Sequence, residues 1–129
     1  MNQKQLDSAL NLSCEERYDY FLNKVASWEE VWILVNDGEE FLKLFSEEDK
    51  LEYVPIWPHP DLASEYANNA GETLFAKKIT LTVFFDRWIP GLERDNLMLS
   101  VFPSTDSTVW IMEPSELLAD LEEEFSQGG

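Results

Sequence analysis

The sequence predicts one α+β domain, with about six mostly antiparallel strands in a mixed sheet and four helices packed on it. A length of 129 residues suits a single domain, and 44% hydrophobic residues are enough for an independent core. Short β-branched runs give way to helical apolar spacing at Leu62, Leu81 and Leu117. At least two pairs of strands follow one another without a helix between them, which favours α+β over a doubly wound sheet.

The first half of the chain predicts one helix followed by three strands. Ser13 and Glu16 have the spacing of a capping box, so we expect a helix over about 14–26. Asn36-Asp37-Gly38 tolerates positive φ and predicts the turn of a first hairpin. Runs rich in β-branched and aromatic residues predict the strands 31–35, 41–45 and 51–57. Pro58 ends the third strand, because proline has no amide proton for the ladder.

The second half of the chain mixes three predicted helices with three predicted strands. The helices are expected to begin at Pro60, after Thr80 and at Pro114, because proline suits the first helical turn and threonine caps one. Pro90-Gly91 is expected to break or kink the middle helix. The predicted strands are 73–79, 97–102 and 108–112, with a turn over 103–107.

Apolar positions on these elements predict the core. Trp32, Phe85 and Leu118 each lie in an apolar run or on an apolar helical face, so we expect them to be buried. The last helix is expected to turn its apolar face inward and its acidic face to water. The apolar set is Leu117, Leu118, Leu121 and Phe125, and the acidic set is Glu116, Asp120, Glu123 and Glu124.

The ends of the chain and its cysteine content predict its organisation and location. We expect residues 1–12 to be frayed, although Leu6 and Leu10 could extend a helix into them. Residues 13–126 are expected to form the domain and 127–129 a disordered tail. No leader-like segment and no apolar run near about 18 residues occurs, so neither a signal peptide nor a membrane span is expected. Cys14 is the single cysteine and cannot form an internal disulfide. A cytoplasmic location is therefore expected.

The charge balance is strongly acidic, with nine basic and 26 acidic side chains and a net charge of −17. This charge argues against binding to nucleic acid or to an anionic membrane, which both attract positive charge. Residues 29–52 have a net charge of −7, and residues 103–129 carry seven acidic and no basic groups. Such acidity can recognise a basic protein, or it can serve solubility alone.

Metal and cofactor motifs are missing from the sequence. His59 and Cys14 are the only histidine and cysteine, too few for a zinc site. Aligning Gly38 with an EF-hand loop puts Ile33 and Leu44 where carboxylates are required. The glycines form neither a dinucleotide-binding nor a phosphate-binding loop, and no nucleophile-elbow motif occurs. We therefore expect no metal and no cofactor.

Four residues near prolines are candidates for a ligand-binding or catalytic pocket: Trp57, His59, Arg87 and Trp88. Each also has an ordinary structural explanation. His59 suits the N-cap of the helix that begins at Pro60, and Arg87 can pair with a nearby carboxylate. Tryptophans at the ends of elements pack more often in the core or at its rim than in a binding groove.

Glu116 and Asp120 are one helical turn apart and therefore lie on one helical face. Paired carboxylates can perform acid–base chemistry, but one of them must then sit in a pocket that raises its pKa. Because both lie opposite the leucine face, we expect a solvated surface.

Several short segments together resemble the bacterial domain of unknown function 2750 family over roughly Leu12–Glu124. In chain order these segments are Glu16–Phe21, Glu30–Trp32, Pro55–Pro58, Tyr66-Ala67, Phe85–Leu92, Val101–Pro103 and Glu113–Leu117. Ile33–Asn36 departs from the family pattern because it is more apolar. The resemblance implies a small, cytoplasmic, single-domain bacterial protein. It implies no activity and no catalytic residues, because the family has none assigned.

These observations favour a non-catalytic protein-binding module over an enzyme. Its contact surface is expected in the acidic segments 29–52 and 103–129, with Glu47, Glu48 and Asp49 as the candidate residues. The expected partner is a basic protein, and neither nucleic acid nor a membrane is expected to bind. The alternative is a small-molecule binder or enzyme that uses the four candidate pocket residues. The sequence leaves homo-oligomer formation, the identity of the partner and the strand order open.

Overall fold

A computed structural model describes residues 1–71, 73–103 and 110–128, of which 127 and 128 are described by backbone alone. The helices are α1 (Gln3–Leu10), α2 (Cys14–Trp28), α3 (Pro60–Ala70), α4 (Leu81–Val83), α5 (Ile89–Arg94) and α6 (Pro114–Gly128), with a π turn (Phe84–Trp88) between α4 and α5. The strands are β1 (Glu30–Val35), β2 (Leu44–Ser46), β3 (Leu51–Ile56), β4 (Phe75–Thr80), β5 (Met98–Val101) and β6 (Ile111–Met112). This arrangement confirms the predicted α+β class.

The strands form two hydrogen-bonded groups that meet at a pair of tryptophans. One group is the antiparallel pair β1–β4, and the other has the order β2-β3-β5-β6. In the second group β3 and β5 run parallel, whereas β2–β3 and β5–β6 are antiparallel. Trp32 and Trp57 exchange backbone hydrogen bonds of 2.8 and 2.9 Å, which tie β1 to the end of β3.

The predicted first hairpin is present in reduced form, as its turn and one antiparallel bridge. The side-chain oxygen of Asn36 accepts hydrogen bonds from the amides of Gly38 and Glu40, at 2.9 and 3.0 Å, as expected of an Asx turn. The returning chain then makes a single bridge, between Val35 and Phe41. On its other edge β1 pairs over its whole length with β4, which is distant in sequence.

Residues 1–12 contain a helix where a frayed segment was expected. Asn2 and Gln5 form a capping box at the start of α1, with hydrogen bonds of 2.8 and 3.0 Å. Ala9 is buried, so α1 is held by packing as well as by its cap. Ser13 and Glu16 form the predicted capping box of α2.

The predicted tail and last turn fall partly beyond the described residues. Helix α6 continues to Gly128, so the backbone of residues 127 and 128 is helical where a disordered tail was predicted. Gly129 lies outside the described residues, and so do residues 104–109. Residues 104–107 of the predicted turn and residues 108 and 109 of the predicted strand therefore also lie outside the described residues.

The helix does not break at Pro90. A π turn comes just before Pro90, and the chain remains helical through it. The amide of Ile89 donates to the carbonyl oxygen of Phe84, five residues earlier, and the chain then continues as α5. Pro90 has no amide to donate, so a wider turn at this point loses little hydrogen bonding. The wider turn also brings Phe84 and Ile89 onto the same buried face.

Three predicted core residues are only partly buried: Trp32, Phe85 and Leu118. Phe84 and Leu117, which directly precede Phe85 and Leu118, are fully buried instead. The π turn rotates the inward face of residues 81–94, and the inward face of α6 is centred on Leu117 and Leu121. Phe125 was predicted to face inward, but 41% of its surface is exposed.

Candidate functional site

Trp57 belongs to the core. It is fully buried at the end of β3, and its indole nitrogen donates to the carbonyl oxygen of Pro103 at 3.1 Å. Its ring lies 5.2 Å from the ring of Tyr66 on α3. A tryptophan that is packed and hydrogen-bonded in this way supports the fold and offers no surface to a ligand.

His59 caps α3, as its position before Pro60 suggested. Its Nδ1 accepts a hydrogen bond from the amide of Asp61 at 3.1 Å, so a neutral ring carries its proton on Nε2. Burial lowers the pKa of His59 and outweighs the opposing attraction of the Asp61 carboxylate. The neutral ring makes an edge contact with Trp28 at 5.6 Å, so His59 faces α2.

Arg87 and Trp88 lie elsewhere, beside a small cavity of about 170 Å³ that Phe41 also lines. Trp88 packs edge-on against Phe41, with ring centroids 5.1 Å apart. Asp95 lines the same cavity, but its carboxylate pairs with Arg94 at 3.5 Å. The exposed guanidinium of Arg87 forms no ion pair with a carboxylate within the described part of the chain.

The structure therefore places the four candidate residues in three different locations. Trp57 lies in the core, His59 faces α2, and Arg87 and Trp88 flank a different cavity. Trp57 and His59 are only two residues apart, but the chain turns between them from a strand into a helix. The sequence shows the prolines that cause the turn, whereas the direction of each side chain depends on the packing.

The larger cavity, about 520 Å³, lies between α1, α2 and the start of α3. We call it the α1–α2 cleft, and its principal lining residues are Lys4, Ser8, Tyr20, Lys24, Trp28 and His59. The ammonium of Lys24 lies over two rings, 5.6 Å from the centroid of Tyr20 and 5.4 Å from that of Trp28. Burial raises the pKa of Tyr20.

Sequence reasoning missed this cleft, although it had one signal. Tyr20, Lys24 and Trp28 are spaced four residues apart, which places them on one face of a helix. The other wall belongs to α1, which was expected to be frayed. Because α1 was not expected as a second wall, the sequence did not predict a cavity beside this face of α2.

The predicted acidic surface lies on the hairpin of β2 and β3. Glu47, Glu48 and Asp49 are exposed in its turn, where the Ser46 hydroxyl accepts a hydrogen bond from the Asp49 amide at 3.2 Å. Phe45 is directly opposite Glu52, and 56% of its surface is exposed. The hairpin therefore presents an aromatic ring next to carboxylates, a feature that charge counting alone did not reveal.

Arg17 is a buried cation that the sequence reasoning did not single out. It is 1% exposed, and its guanidinium donates to the carbonyl oxygens of Phe102 and Leu12 at 3.1 and 2.9 Å. The guanidinium carbon lies 6.0 Å from the ring centroid of Phe102. Phe102 itself has a positive φ of 47°. Arg17 thus joins the start of α2 to the end of β5.

The acidic face of α6 was expected to be solvated, but Asp120 on this face makes a contact within the protein. It accepts a hydrogen bond from the hydroxyl of Tyr18, whose ring stacks on Trp110 with centroids 5.0 Å apart. Burial, followed by the hydrogen bond and charge of Asp120, raises the pKa of Tyr18 well above its usual range. Glu116 remains exposed, so the two predicted carboxylates differ: Asp120 makes a part-buried contact and Glu116 lies at the surface.

Neither a cluster of metal ligands nor a membrane-spanning helix is present in the described residues. No group of three histidine, cysteine, aspartate or glutamate side chains that could hold a metal ion occurs in residues 1–71, 73–103 and 110–128. Over the same ranges, none of the helices has the length and apolar character needed to cross a membrane.

Comparison with known proteins gives a family but no activity. No curated protein matches the chain. Among solved structures, Anabaena Tic22 (protein transport) is similar, with a TM-score of 0.44 and 11% identity over 70% of this chain and 47% of that chain. The chain thus spans about half the length of that protein, and the likeness is too distant to carry an argument. The family model for a protein of unknown function, DUF2750, matches residues 18–121, most of the chain. The chain therefore belongs to the DUF2750 family.

Proposed function

We propose that this protein is a non-catalytic module that binds a basic protein partner through the β2–β3 hairpin. The observation that carries the proposal is the cross-strand pair of Phe45 and Glu52 on an edge strand, next to Glu47, Glu48 and Asp49. An exposed aromatic side chain supplies apolar contact area, and the surrounding carboxylates favour lysine and arginine on the partner.

The edge position of β2 adds a second means of contact. Within the described residues, β2 pairs with β3 on one side, and no strand pairs with its other side. A partner segment can add a strand at such an edge through backbone hydrogen bonds. Lys43 and Lys50, at either end of this region, reduce its local negative charge, so the aromatic contact is needed beside the electrostatic one.

The net charge of −17 contributes at long range. It accelerates encounters with basic proteins and repels nucleic acid. We expect this binding to occur in the cytoplasm, because a chain with a single cysteine suits a reducing compartment.

A capture experiment at low salt tests this function with variants of equal net charge. The test variant reverses Glu47, Glu48 and Asp49 to lysine, and the control reverses Asp19, Asp86 and Glu93, which are exposed on α2, the π turn and α5. We expect the wild type and the control to retain the same basic protein, and the test variant to lose it. Equal retention by both variants would assign the acidity to solubility and overturn the proposal.

Binding kinetics with the captured protein separate charge from contact. Reversal of the three acids should slow association more than it speeds dissociation, because rim charges act mainly on the encounter. Phe45→Ser should instead speed dissociation, because the aromatic ring contacts the partner only in the complex. An unchanged dissociation rate in Phe45→Ser would exclude the hairpin face as the contact.

A further inference from the structure

The α1–α2 cleft concentrates positive charge in an otherwise acidic molecule. Lys4 and Lys24 line it, and none of the aspartates and glutamates in the described part of the chain does. Among the described residues neither lysine forms an ion pair with a carboxylate, although the chain has 26 acidic groups. The Met1 amine also lines the cleft, but it pairs with Asp61 at 3.0 Å. Two lysines are therefore available to a ligand.

The neutral polar groups of the cleft are donors as well. The Nδ1 of His59 is occupied as an acceptor, so its Nε2 carries the proton when the ring is neutral. The Tyr20 and Ser8 hydroxyls can also donate. Two ammonium groups, an imidazole N–H and two hydroxyls together match a ligand that carries negative charge and accepts hydrogen bonds.

The aromatic walls indicate the shape of the ligand. Trp28 is 42% exposed, and its edge contact with His59 holds it at the cleft. Lys24 is held over the rings of Tyr20 and Trp28, so its charge is fixed beside an apolar surface. The volume of about 520 Å³ lies in the range of cavities that enclose small molecules.

We propose that the α1–α2 cleft binds a small organic anion with a flat apolar body, of the class of aromatic carboxylates. The carboxylate pairs with Lys24 and Lys4, and the flat body lies against Trp28. This site is separate from the β2–β3 hairpin, so the proposal does not depend on the proposed protein-binding function.

Calorimetric titration of the full chain with naphthoate tests the site. Naphthalenemethanol serves as the uncharged analogue, and inorganic phosphate as an anion without an apolar body. We expect naphthoate to bind, and both comparison compounds to bind at least about tenfold more weakly, because each lacks one half of the recognition. No binding of naphthoate at millimolar concentration, or equally tight binding of phosphate, would overturn the proposal.

Three lysine variants locate the binding. Lys24→Met keeps most of the apolar stem and should weaken naphthoate binding about tenfold. Lys4→Met, at an exposed position on α1, should act in the same direction without endangering the fold. Lys43→Met is the control, because Lys43 lies over the Phe41 ring at 5.9 Å in a similar contact away from the cleft. Naphthoate affinity that is unaffected by both cleft variants would overturn the proposal.

Discussion

Arg17 and Tyr18 are adjacent residues of α2 that place a cation and a hydroxyl inside the fold. Arg17 is satisfied in part by two backbone carbonyls, and Tyr18 donates to Asp120 on α6. The hydrogen bonds to Phe102 and Asp120 join segments that are far apart in sequence. Leaving a buried polar group without its partner lowers the stability of the fold by more than the hydrogen bond itself adds. These two residues therefore specify how α2 packs against the end of β5 and against α6.

The first prediction concerns the Tyr18 hydroxyl. Tyr18→Phe removes the donor to Asp120 while keeping the ring on Trp110, so we expect a loss of about 1–2 kcal/mol in the free energy of unfolding by urea. Tyr53→Phe, at a half-buried position of β3, is the matched control and should change stability by less than about 0.5 kcal/mol. Equal losses in the two variants would exclude the hydrogen bond as the cause.

The same residue predicts a pH dependence at alkaline pH. Folding raises the pKa of Tyr18 above the usual 10.0. The contribution of its hydroxyl to the free energy of unfolding is therefore complete below about pH 10 and declines as the pH rises further. Between about pH 9 and about pH 11, the wild type should therefore lose unfolding free energy faster than Tyr18→Phe. Parallel curves for the two proteins would contradict this assignment.

The π turn is the element whose geometry decides which phenylalanine is buried. Helical spacing treats Phe84 and Phe85 as equivalent members of one apolar stripe. The five-residue step from Phe84 to Ile89 selects Phe84 for the core and leaves Phe85 at its edge. A π turn has no simple sequence signature, although the missing amide of Pro90 makes a local departure from α-helical hydrogen bonding inexpensive.

The second prediction compares these two phenylalanines directly. Phe84→Ala should lower the free energy of unfolding by about 3–5 kcal/mol, because it empties a fully enclosed position. Phe85→Ala removes the same atoms from a partly exposed position and should cost less than half as much. Chemical denaturation of both variants measures the difference, and an equal or reversed order would contradict the observed helical face.

At the scale of the whole molecule, the net charge of −17 opposes compaction. Only a few ion pairs among the described residues offset this repulsion, such as Lys77–Glu39 and Lys78–Glu30, both at 3.5 Å and open to solvent. Ion pairs that are open to solvent contribute little to the free energy of unfolding. The stability of the fold therefore comes from its apolar core, against a background of repulsion between carboxylates.

The third prediction follows from that repulsion. Raising sodium chloride from about 0.05 M to about 0.5 M shortens the Debye length and should raise the urea midpoint. Reversing Glu47, Glu48 and Asp49 to lysine lowers the net negative charge, so that variant should respond less to salt. A midpoint that falls with added salt would mean that favourable ion pairs outweigh the repulsion.

The sequence by itself determined the α+β class, the Ser13 and His59 caps, the Asn36 turn and the family. Each of these follows from local spacing, residue chemistry or short motifs, which act over a few residues. Only the tertiary structure decided that β1 pairs with β4, that the four candidate pocket residues lie apart, and that α1 encloses a cleft with α2. Strand partners and cavities depend on contacts between residues distant in sequence, and those contacts form only when the whole core packs.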